Sequence, residues 1–306
     1  MTPMNEDAVH DFKGFHSGFV ALMGAPNAGK STLLNRLLGT KISITSRKPQ
    51  TTRNRILGIV HRPSAQLVFI DTPGVHLAQK PLNVRIVDAA LSALSDVDVV
   101  LLMADAQRPD RQAETFLLDR LSEARKPVVL AVNKIDGLAA KKVMEILGEW
   151  SKGFSFEHIL PISALHGTQV DDLLQVLEGM LPEGPPFFGE DMLTDSAERF
   201  IVAELIREKV FRLTGEEIPY AAAVTVDTFK EVHQGKTMHI SATIHVERDS
   251  QKGIVIGRGG RKLKQIGQAA REDIERLLDT RVYLELFVRV QKNWTRDTRA
   301  LRKFGY

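Results

Sequence analysis

The stretch from residue 24 to residue 31 limits most strongly what this chain can fold into. It reads G-x-x-x-x-G-K-S, a phosphate-binding loop formed by Gly24, Ala25, Pro26, Asn27, Ala28, Gly29, Lys30 and Ser31. An apolar run precedes it at residues 18–23, and apolar residues at helical spacing follow it at residues 32–38. The motif needs a strand before it and a helix after it, and this chain supplies both. We therefore predict a strand–loop–helix unit that binds the phosphates of a nucleotide.

Each part of this loop has a predicted task. Its glycines let successive backbone N–H groups point at phosphate oxygens. Lys30 is expected to reach the β- and γ-phosphates, and the Ser31 hydroxyl is expected to ligate Mg²⁺.

Buried-strand runs alternate with helical stretches through the rest of the first half. The runs lie at residues 56–60, 67–70, 99–103, 128–132 and 158–162, with helical stretches near 83–94, 112–124 and 170–180. This alternation predicts an α/β domain with a mostly parallel sheet, whose ligand binds at the carboxyl ends of the strands.

Two polar tetrapeptides follow strands at that predicted edge. The first is Asp71, Thr72, Pro73 and Gly74, in which Asp71 is expected to hold Mg²⁺ through water and the Gly74 N–H to meet the γ-phosphate. The second is Asn133, Lys134, Ile135 and Asp136. A carboxylate at Asp136 can accept from both N1–H and the exocyclic amine of guanine, a pattern that adenine lacks. The stem of Lys134 can cover one face of the base.

A weaker signal follows the last strand, at Ser163, Ala164 and Leu165. Its position predicts that the Ala164 backbone N–H meets the guanine carbonyl oxygen. The Pro/Gly cluster at residues 181–186 then ends the domain, because neither a helix nor a strand tolerates it in its interior. We place the first domain at residues 15–182, a linker at 183–194 and a second domain at 195–306.

The second domain reads as helix, hairpin, helix, glycine loop, helix and strand. A helix is predicted at residues 196–212, strands at 220–229 and 238–246, and a long helix at 263–278 before a last strand at 282–290. An apolar turn leads into the G-x-x-G loop, which is Gly257, Arg258, Gly259 and Gly260, and the basic residues Arg261, Lys262 and Lys264 follow it. This order is typical of a type II KH domain, in which the glycine loop lets a single-stranded nucleic-acid backbone approach closely. A glycine cap between two helices is the alternative for the G-x-x-G motif alone.

The charge of the chain is unevenly divided. Residues 251–306 carry 14 Lys and Arg against 6 Asp and Glu, whereas the rest of the chain is net acidic. A basic end on an acidic body favours an anionic partner, although a solvated basic face is the alternative. Trp294 lies in this basic end and leaves two interpretations open, stacking on RNA or docking against the last strand.

The cysteine content and the apolar runs of the sequence indicate where in the cell the protein is expected to work. The chain has no cysteine, which favours a reducing, intracellular location. Residues 1–17 have no apolar core of the kind that a signal peptide needs, and the longest apolar run, at residues 99–104, is too short to span a bilayer.

The nucleotide motifs together resemble those of small-GTPase-type domains. The resemblance implies a threonine that ligates Mg²⁺ in the loop before the second strand, where Thr52 is the better candidate and Thr51 the rival. Many GTPases carry a glutamine directly after D-x-x-G, but this chain has Val75, so hydrolysis is expected to be slow unless another group stabilises the transition state. Lys30, Thr52, Gly74 and Asn27 are therefore the candidates for catalysis. Asn27 either holds a potassium ion between the phosphates, as the resembled group implies, or serves only as a turn residue.

A GTPase domain followed directly by a type II KH domain resembles the Era family of bacterial GTPases over almost the whole chain. The resemblance implies binding of GTP, GDP and Mg²⁺, binding to the 3′ end of 16S ribosomal RNA, and a role in assembly of the small ribosomal subunit. It also implies a monomeric, cytoplasmic protein with peripheral contact to the inner face of the cell membrane. The alternatives are an RNA-binding scaffold that uses GTP as a structural ligand, and a GTPase that acts on another RNA, including a tRNA-modifying one.

Overall fold

The structure is a computed structural model that describes residues 12–45, 56–74, 94, 96–215, 218, 222–232, 236–297 and 304. Two sets of predictions fall outside this part of the chain. One is the helix predicted at residues 83–94, of which only Leu94 is described, and the other is the set of single residues Thr51, Thr52 and Val75. None of the helices in the described part of the chain has the length and apolar run that a bilayer crossing needs.

The first half of the chain forms a six-stranded sheet with the strand order β2-β3-β1-β4-β5-β6. Its strands are β1 (His16–Gly24), β2 (Ile56–Arg62), β3 (Ala65–Asp71), β4 (Val99–Asp105), β5 (Val128–Asn133) and β6 (His158–Pro161). All pairings are parallel except that of β2 with β3. The mostly parallel sheet predicted from the sequence is thus confirmed.

Helices cover both faces of this sheet. They are α1 (Lys30–Leu38), α2 (Arg111–Ala124), α3 (Ala140–Gly153) and α4 (Val170–Met180). Strand β4 is buried at every position, and its side chains alternate between two cores: Leu101 packs on the side of α1 and α4, whereas Val100 and Leu102 pack on the side of α2 and α3. Burial on both faces explains why these strands read as continuous apolar runs instead of alternating ones.

The segment after α4 follows the edge of the sheet. The buried side chain of Gln66 on β3 accepts hydrogen bonds from the backbone N–H groups of Phe187 (2.7 Å) and Phe188 (3.0 Å) and donates one to the Phe188 carbonyl (2.7 Å). Further along, the Ile59 N–H on the edge strand β2 donates to the Leu193 carbonyl at 2.9 Å. The stretch predicted as a linker is therefore held against the first domain by backbone hydrogen bonds.

The second half has a three-stranded sheet in the order β7-β8-β9. Its elements are α5 (Glu198–Leu213), β7 (Ala223–Val232), β8 (Thr237–Val246), α6 (Asp249–Ile256), α7 (Arg261–Leu278) and β9 (Arg281–Val290). Strands β7 and β8 pair antiparallel, and β8 and β9 pair parallel. This is the α+β arrangement that the order of elements predicted.

Two details bear on the sequence-based expectations for the second domain. The helix predicted between the hairpin and the glycine loop is α6, which contains the apolar turn, and Gln251 Oε1 caps its start by accepting from the Glu247 and Arg248 N–H groups. Gln251 is the third residue of this helix, a usual place for a glutamine in a capping box, but Arg248 is an unusual residue at the N-cap, which weakens the start signal in the sequence. Trp294 is completely buried and meets the Phe304 ring edge-on with centroids 5.1 Å apart, so its ring is not exposed for stacking on RNA.

Candidate nucleotide and nucleic-acid sites

The backbone of the loop after β1 has the shape that a phosphate cradle requires. Gly24, Asn27 and Gly29 all have positive φ angles, of 150°, 65° and 105°. A Cβ on Gly29 would lie 2.1 Å from the side-chain nitrogen of Asn133, so no larger residue fits there. Asparagine tolerates the positive φ of position 27 better than most residues do, which explains why it suits this turn. The role in holding potassium that we predict for Asn27 stays a prediction.

Lys30 at the start of α1 points into the cradle. Its buried ammonium donates to the carbonyl oxygens of Gly24 (2.9 Å) and Ala25 (3.0 Å). Burial lowers the pKa of Lys30 from its ordinary value to about 8, while the nearby Asp71 carboxylate opposes this change. A phosphate next to the Lys30 ammonium would favour its charged form and so oppose the effect of burial on its pKa. The charged form of Lys30 is therefore stabilised by an anionic ligand in the loop.

A carboxylate and two hydroxyl groups meet beside the cradle. Asp71 Oδ2 accepts from the hydroxyl of Ser31 at 2.8 Å and from that of Ser43 at 2.7 Å. Hydroxyl and carboxylate oxygens are ligands that suit Mg²⁺, which usually completes its coordination with waters and substrate phosphates. Within the described residues no group of three or more His, Cys, Asp or Glu side chains is arranged to hold a metal ion.

The rest of the D-x-x-G motif packs against β1 and the phosphate-binding loop. The Thr72 hydroxyl donates to the Leu22 carbonyl on β1 at 2.6 Å. A Cβ on Gly74 would lie 2.8 Å from the Pro26 Cα, so glycine is needed for this close approach. The loop after β3 is thereby brought next to the loop after β1, as the parallel topology predicted.

Asn133 joins the loops that follow three different strands. Its side-chain nitrogen donates to the Ala28 carbonyl at 2.8 Å, and its side-chain oxygen accepts from the Ala164 N–H at 2.9 Å. The residue is buried and contacts the phosphate loop on one side and the loop after β6 on the other. Its geometry is that of a structural connector between the phosphate end and the base end of the site.

Lys134 stands beside the expected position of the base in a left-handed conformation, with φ of 68°. Its carbonyl accepts from the Gln107 side chain at 2.8 Å, and its ammonium pairs with Asp105 at 2.5 Å. Asp105 was missed by sequence reasoning, although an acidic residue at the carboxyl end of a buried strand was the available signal.

The Asp136 carboxylate is held ready to accept hydrogen bonds. The Ser163 hydroxyl donates to its Oδ1 at 2.6 Å, and the His166 ring nitrogen lies 3.8 Å from its Oδ2. The Ser163 hydrogen bond is the main reason why the pKa of Asp136 is below its ordinary value. The carboxylate therefore stays ionised at neutral pH, which is the form that can accept from two guanine N–H groups.

The loop after β6 is fastened to the phosphate-loop helix. Arg36 on α1 donates from Nε to the Ala164 carbonyl at 2.8 Å and also bonds the Leu165 carbonyl. The sequence carries no signal for this contact, because Arg36 looks like an ordinary exposed helix residue. It places the Ser163–Ala164–Leu165 stretch against the base end of the site.

The glycine loop of the second domain requires its glycines for conformation. Gly257, Gly259 and Gly260 have φ angles of 70°, 60° and 76°. A Cβ on Gly257 would lie 2.6 Å from the Lys262 Cβ, whereas Gly259 and Gly260 face open space. The loop leads into α7, whose N-cap residue Gly260 makes no side-chain cap hydrogen bond, whereas the N–H of the first helical residue, Arg261, donates to the Arg258 carbonyl.

Basic and apolar side chains surround this loop. Arg258, Arg261 and Lys264 are exposed, and Lys262 is half-buried at the first turn of α7. Ile254 on α6, three residues before the loop, is an exposed apolar side chain with 45% of its surface accessible. The predicted basic cluster is brought together around the glycines.

Two family models match the two halves of the chain. One, described as a 50S ribosome-binding GTPase, matches residues 19–134, and the other, described as a KH domain, matches residues 217–295.

Relatives with the same arrangement cover nearly the whole chain. GTPase Era of Geotalea daltonii is 55% identical, over 95% of this chain and 98% of the relative, and GTPase Era of Lacticaseibacillus paracasei is 49% identical, over 95% and 97%. The crystal structure of a single-residue variant of Aquifex aeolicus Era bound to GDP·AlF4⁻ has a TM-score of 0.90 at 42% identity, covering 95% of this chain and 99% of that one. Era in complex with MgGDPNP and nucleotides 1506–1542 of 16S ribosomal RNA matches with the same score, identity and coverage. With both domains and the nucleotide motifs matched along almost its full length, this chain belongs to the Era family of GTPases.

Proposed function

We propose that this GTPase binds the 3′ end of 16S ribosomal RNA through its KH domain and assists assembly of the small ribosomal subunit. The observation that carries the proposal is the likeness to the Era complex with MgGDPNP and 16S RNA, which extends over 95% of the chain and includes both domains. The model described as 50S ribosome-binding covers only residues 19–134 and so carries less weight for the RNA partner. The proposed division is residues 15–182 for the GTP-binding domain, 183–194 for the linker and 195–306 for the RNA-binding domain.

The nucleotide site divides into a phosphate end and a base end. We assign the phosphates to the backbone of residues 24–31 and to Lys30, and the guanine base to Asn133, Lys134, Asp136 and Ala164. The Ala164 N–H donates to Asn133 Oδ1 in this structure, so it would have to share this hydrogen bond with the guanine carbonyl oxygen or exchange it. Ser31, Asp71 and, in the part of the chain outside the described residues, Thr52 would hold Mg²⁺. The ion, when bound, would neutralise charge on the phosphates.

The residue directly after the D-x-x-G motif is Val75, whose apolar side chain cannot orient the attacking water by hydrogen bonding. Hydrolysis therefore has to proceed without that contribution. The groups left for charge stabilisation are the Lys30 ammonium, the Gly74 N–H and the amide of Asn27. We assign to Asn27 a potassium ion that would take the part an arginine finger plays elsewhere.

Replacing Asn27 by glycine tests that assignment without straining the backbone, because glycine accepts the positive φ of this position. GTP hydrolysis should lose any stimulation by potassium over sodium, while GDP affinity changes little. The measurement is steady-state phosphate release in KCl and in NaCl of equal concentration. A wild-type rate that is the same in both salts, or a glycine variant that keeps the potassium effect, would leave Asn27 as a turn residue only.

RNA binding is assigned to Gly257, Arg258, Gly259, Gly260, Arg261, Lys262 and Lys264. Positive side chains around a loop that lacks Cβ atoms allow close approach of a phosphate backbone, and the affinity should fall with rising salt.

Crosslinking of the protein to RNA in cells, followed by mapping of the bound sites, tests the proposed partner. We expect the sites to concentrate near the 3′ end of 16S RNA, and more strongly for the GTP-bound state. Sites that concentrate in large-subunit RNA or in tRNA would contradict the proposal and favour the alternatives. The resemblance also predicts a monomeric, cytoplasmic protein with peripheral membrane contact, and these points stay predictions.

A further inference from the structure

The residues Lys41, Ile42, Ser43, Ile44 and Thr45 form what we name the linking segment, which follows α1 and Gly39. Its side chains alternate in direction. Ile42 and Ile44 are buried in the protein interior, whereas Lys41, Ser43 and Thr45 make polar contacts. The polar contacts reach two different parts of the molecule.

On one side the linking segment contacts the nucleotide site. The completely buried Ser43 donates its hydroxyl hydrogen to Asp71 Oδ2 at 2.7 Å, the same oxygen that the Ser31 hydroxyl contacts. Asn35 on α1 holds the segment in place, because its side-chain oxygen accepts from the Ile42 and Ser43 N–H groups and its nitrogen donates to the Ser43 carbonyl. Ser43 is thereby positioned between the phosphate-loop helix and the carboxylate at the metal end of the site.

On the other side the linking segment contacts the KH domain at both of its ends. The Lys41 ammonium donates to Glu208 on α5 and to Asp273 on α7, both at 2.8 Å. The Arg212 guanidinium on α5 donates to the Thr45 carbonyl at 2.8 Å and to the Thr45 hydroxyl at 3.0 Å. Two helices of the second domain therefore hold the segment by charged hydrogen bonds.

The two acidic partners of Lys41 are buried, and each of them also pairs with other cations. Glu208 is fully buried and also pairs with Arg212 at 2.9 Å, while Asp273 also pairs with Lys209 and Arg276. Burial alone would raise the pKa of Asp273, but hydrogen bonds from Lys209 and Lys41 outweigh it and hold the pKa below its ordinary value. The two buried carboxylates fix the position of Lys41, because a polar network whose members are satisfied by hydrogen bonds is rigid.

We propose that the linking segment positions the Asp71 carboxylate for Mg²⁺ according to the placement of the KH domain. Ser43 is the positioning residue that acts on Asp71, and Lys41 and Thr45 are the contacts through which the KH domain holds Ser43. A movement of the KH domain that separates Lys41 from Glu208 and Asp273 would alter the metal end of the site without touching the nucleotide.

The test is the release rate of a fluorescent GDP analogue from the full chain as Mg²⁺ is titrated. For Ser43→Ala the Mg²⁺ concentration at half-maximal slowing of release should rise about tenfold, the effect of one hydrogen bond to a charged group. For Lys41→Gln it should rise in the same direction by about two- to fivefold. The double variant should show no larger shift than Ser43→Ala alone, because both changes act on one path.

Two controls separate this coupling from a general loss of structure. The release rate without Mg²⁺ should be the same in all variants, since a disturbed fold would speed it as well. Lys142→Gln removes a lysine from an exposed ion pair with Glu145 on α3 and should leave the Mg²⁺ titration unchanged. Unchanged titrations for Ser43→Ala, or shifts of Lys41→Gln and Ser43→Ala that simply add in the double variant, would overturn the proposal.

Discussion

Changing Asp136 to asparagine should weaken GTP binding about a hundredfold or more and remove most of the preference for guanine over adenine nucleotides. The ionised carboxylate can accept two hydrogen bonds from guanine, and each hydrogen bond to a charged group contributes about 1.5–3 kcal/mol. An asparagine in that place presents one acceptor and one donor, a pattern that matches the N1–H and the C2 carbonyl of xanthine. The same variant should therefore bind xanthosine triphosphate more tightly than the wild type does. Competition between fluorescent and unlabelled nucleotides measures all three affinities.

Asp119→Asn is the matched control for this experiment. Asp119 is exposed on the surface of α2, so the substitution changes the net charge equally but leaves the site intact. It should keep wild-type affinities for all nucleotides. If Asp136→Asn discriminated between GTP and ATP as well as the wild type, Asp136 would not be the group that reads the base.

The second large effect is expected from aspartates placed at both Gly259 and Gly260. These two glycines face open space, whereas a side chain at Gly257 would collide with Lys262, so the pair tests charge more cleanly than a change at Gly257 would. Two negative charges in the path of the phosphates should reduce affinity for RNA by about a hundredfold or more, because like charges at an interface cost several kcal/mol. Fluorescence anisotropy with an RNA oligonucleotide from the 3′ end of 16S RNA measures the loss.

The corresponding double asparagine variant separates charge from backbone strain. Asparagine and aspartate have nearly the same size and both tolerate positive φ, so the two variants should be equally well folded. The asparagine pair should lose clearly less RNA affinity than the aspartate pair, because it hinders the approach of the RNA backbone without adding negative charge. Both variants should bind GDP like the wild type. Equal affinity of the aspartate pair and the wild type for RNA would rule out this loop as the RNA surface.

Sequence patterns predicted the parts of the molecule that depend on local order. The strands, the phosphate loop and the polar tetrapeptides follow from apolar runs and from the rule that parallel strands end at one edge. The roles assigned to single side chains there stay predictions, but their convergence at the carboxyl ends of β1, β3, β5 and β6 is what the topology required.

Contacts between residues distant in the chain could not be predicted in this way. Ser43 reads as one more polar residue in a loop, and nothing in the sequence near it indicates Asp71. The sequence predicted helix α5 but not the extent of its burial: every residue from Ile201 to Phe211 is buried, including Glu204, Arg207 and Glu208. The reason is tertiary: α5 packs on α7 and β7, and its Glu208 and Arg212 also contact the linking segment. Buried charges on such a helix are paired, as Arg207 is with Glu204, and single-sequence patterns do not show the partner.

The binding of residues 187–193 along the sheet edge determines how closely the two domains are tethered. Since Phe187, Phe188 and Leu193 are hydrogen-bonded to the first domain, only the few residues between Leu193 and Glu198 separate the domains. A tether this short keeps the separated domains at an effective concentration in the millimolar range or above. Contacts too weak to join two free proteins, such as those of Lys41 and Thr45 with α5 and α7, are then well populated within one chain.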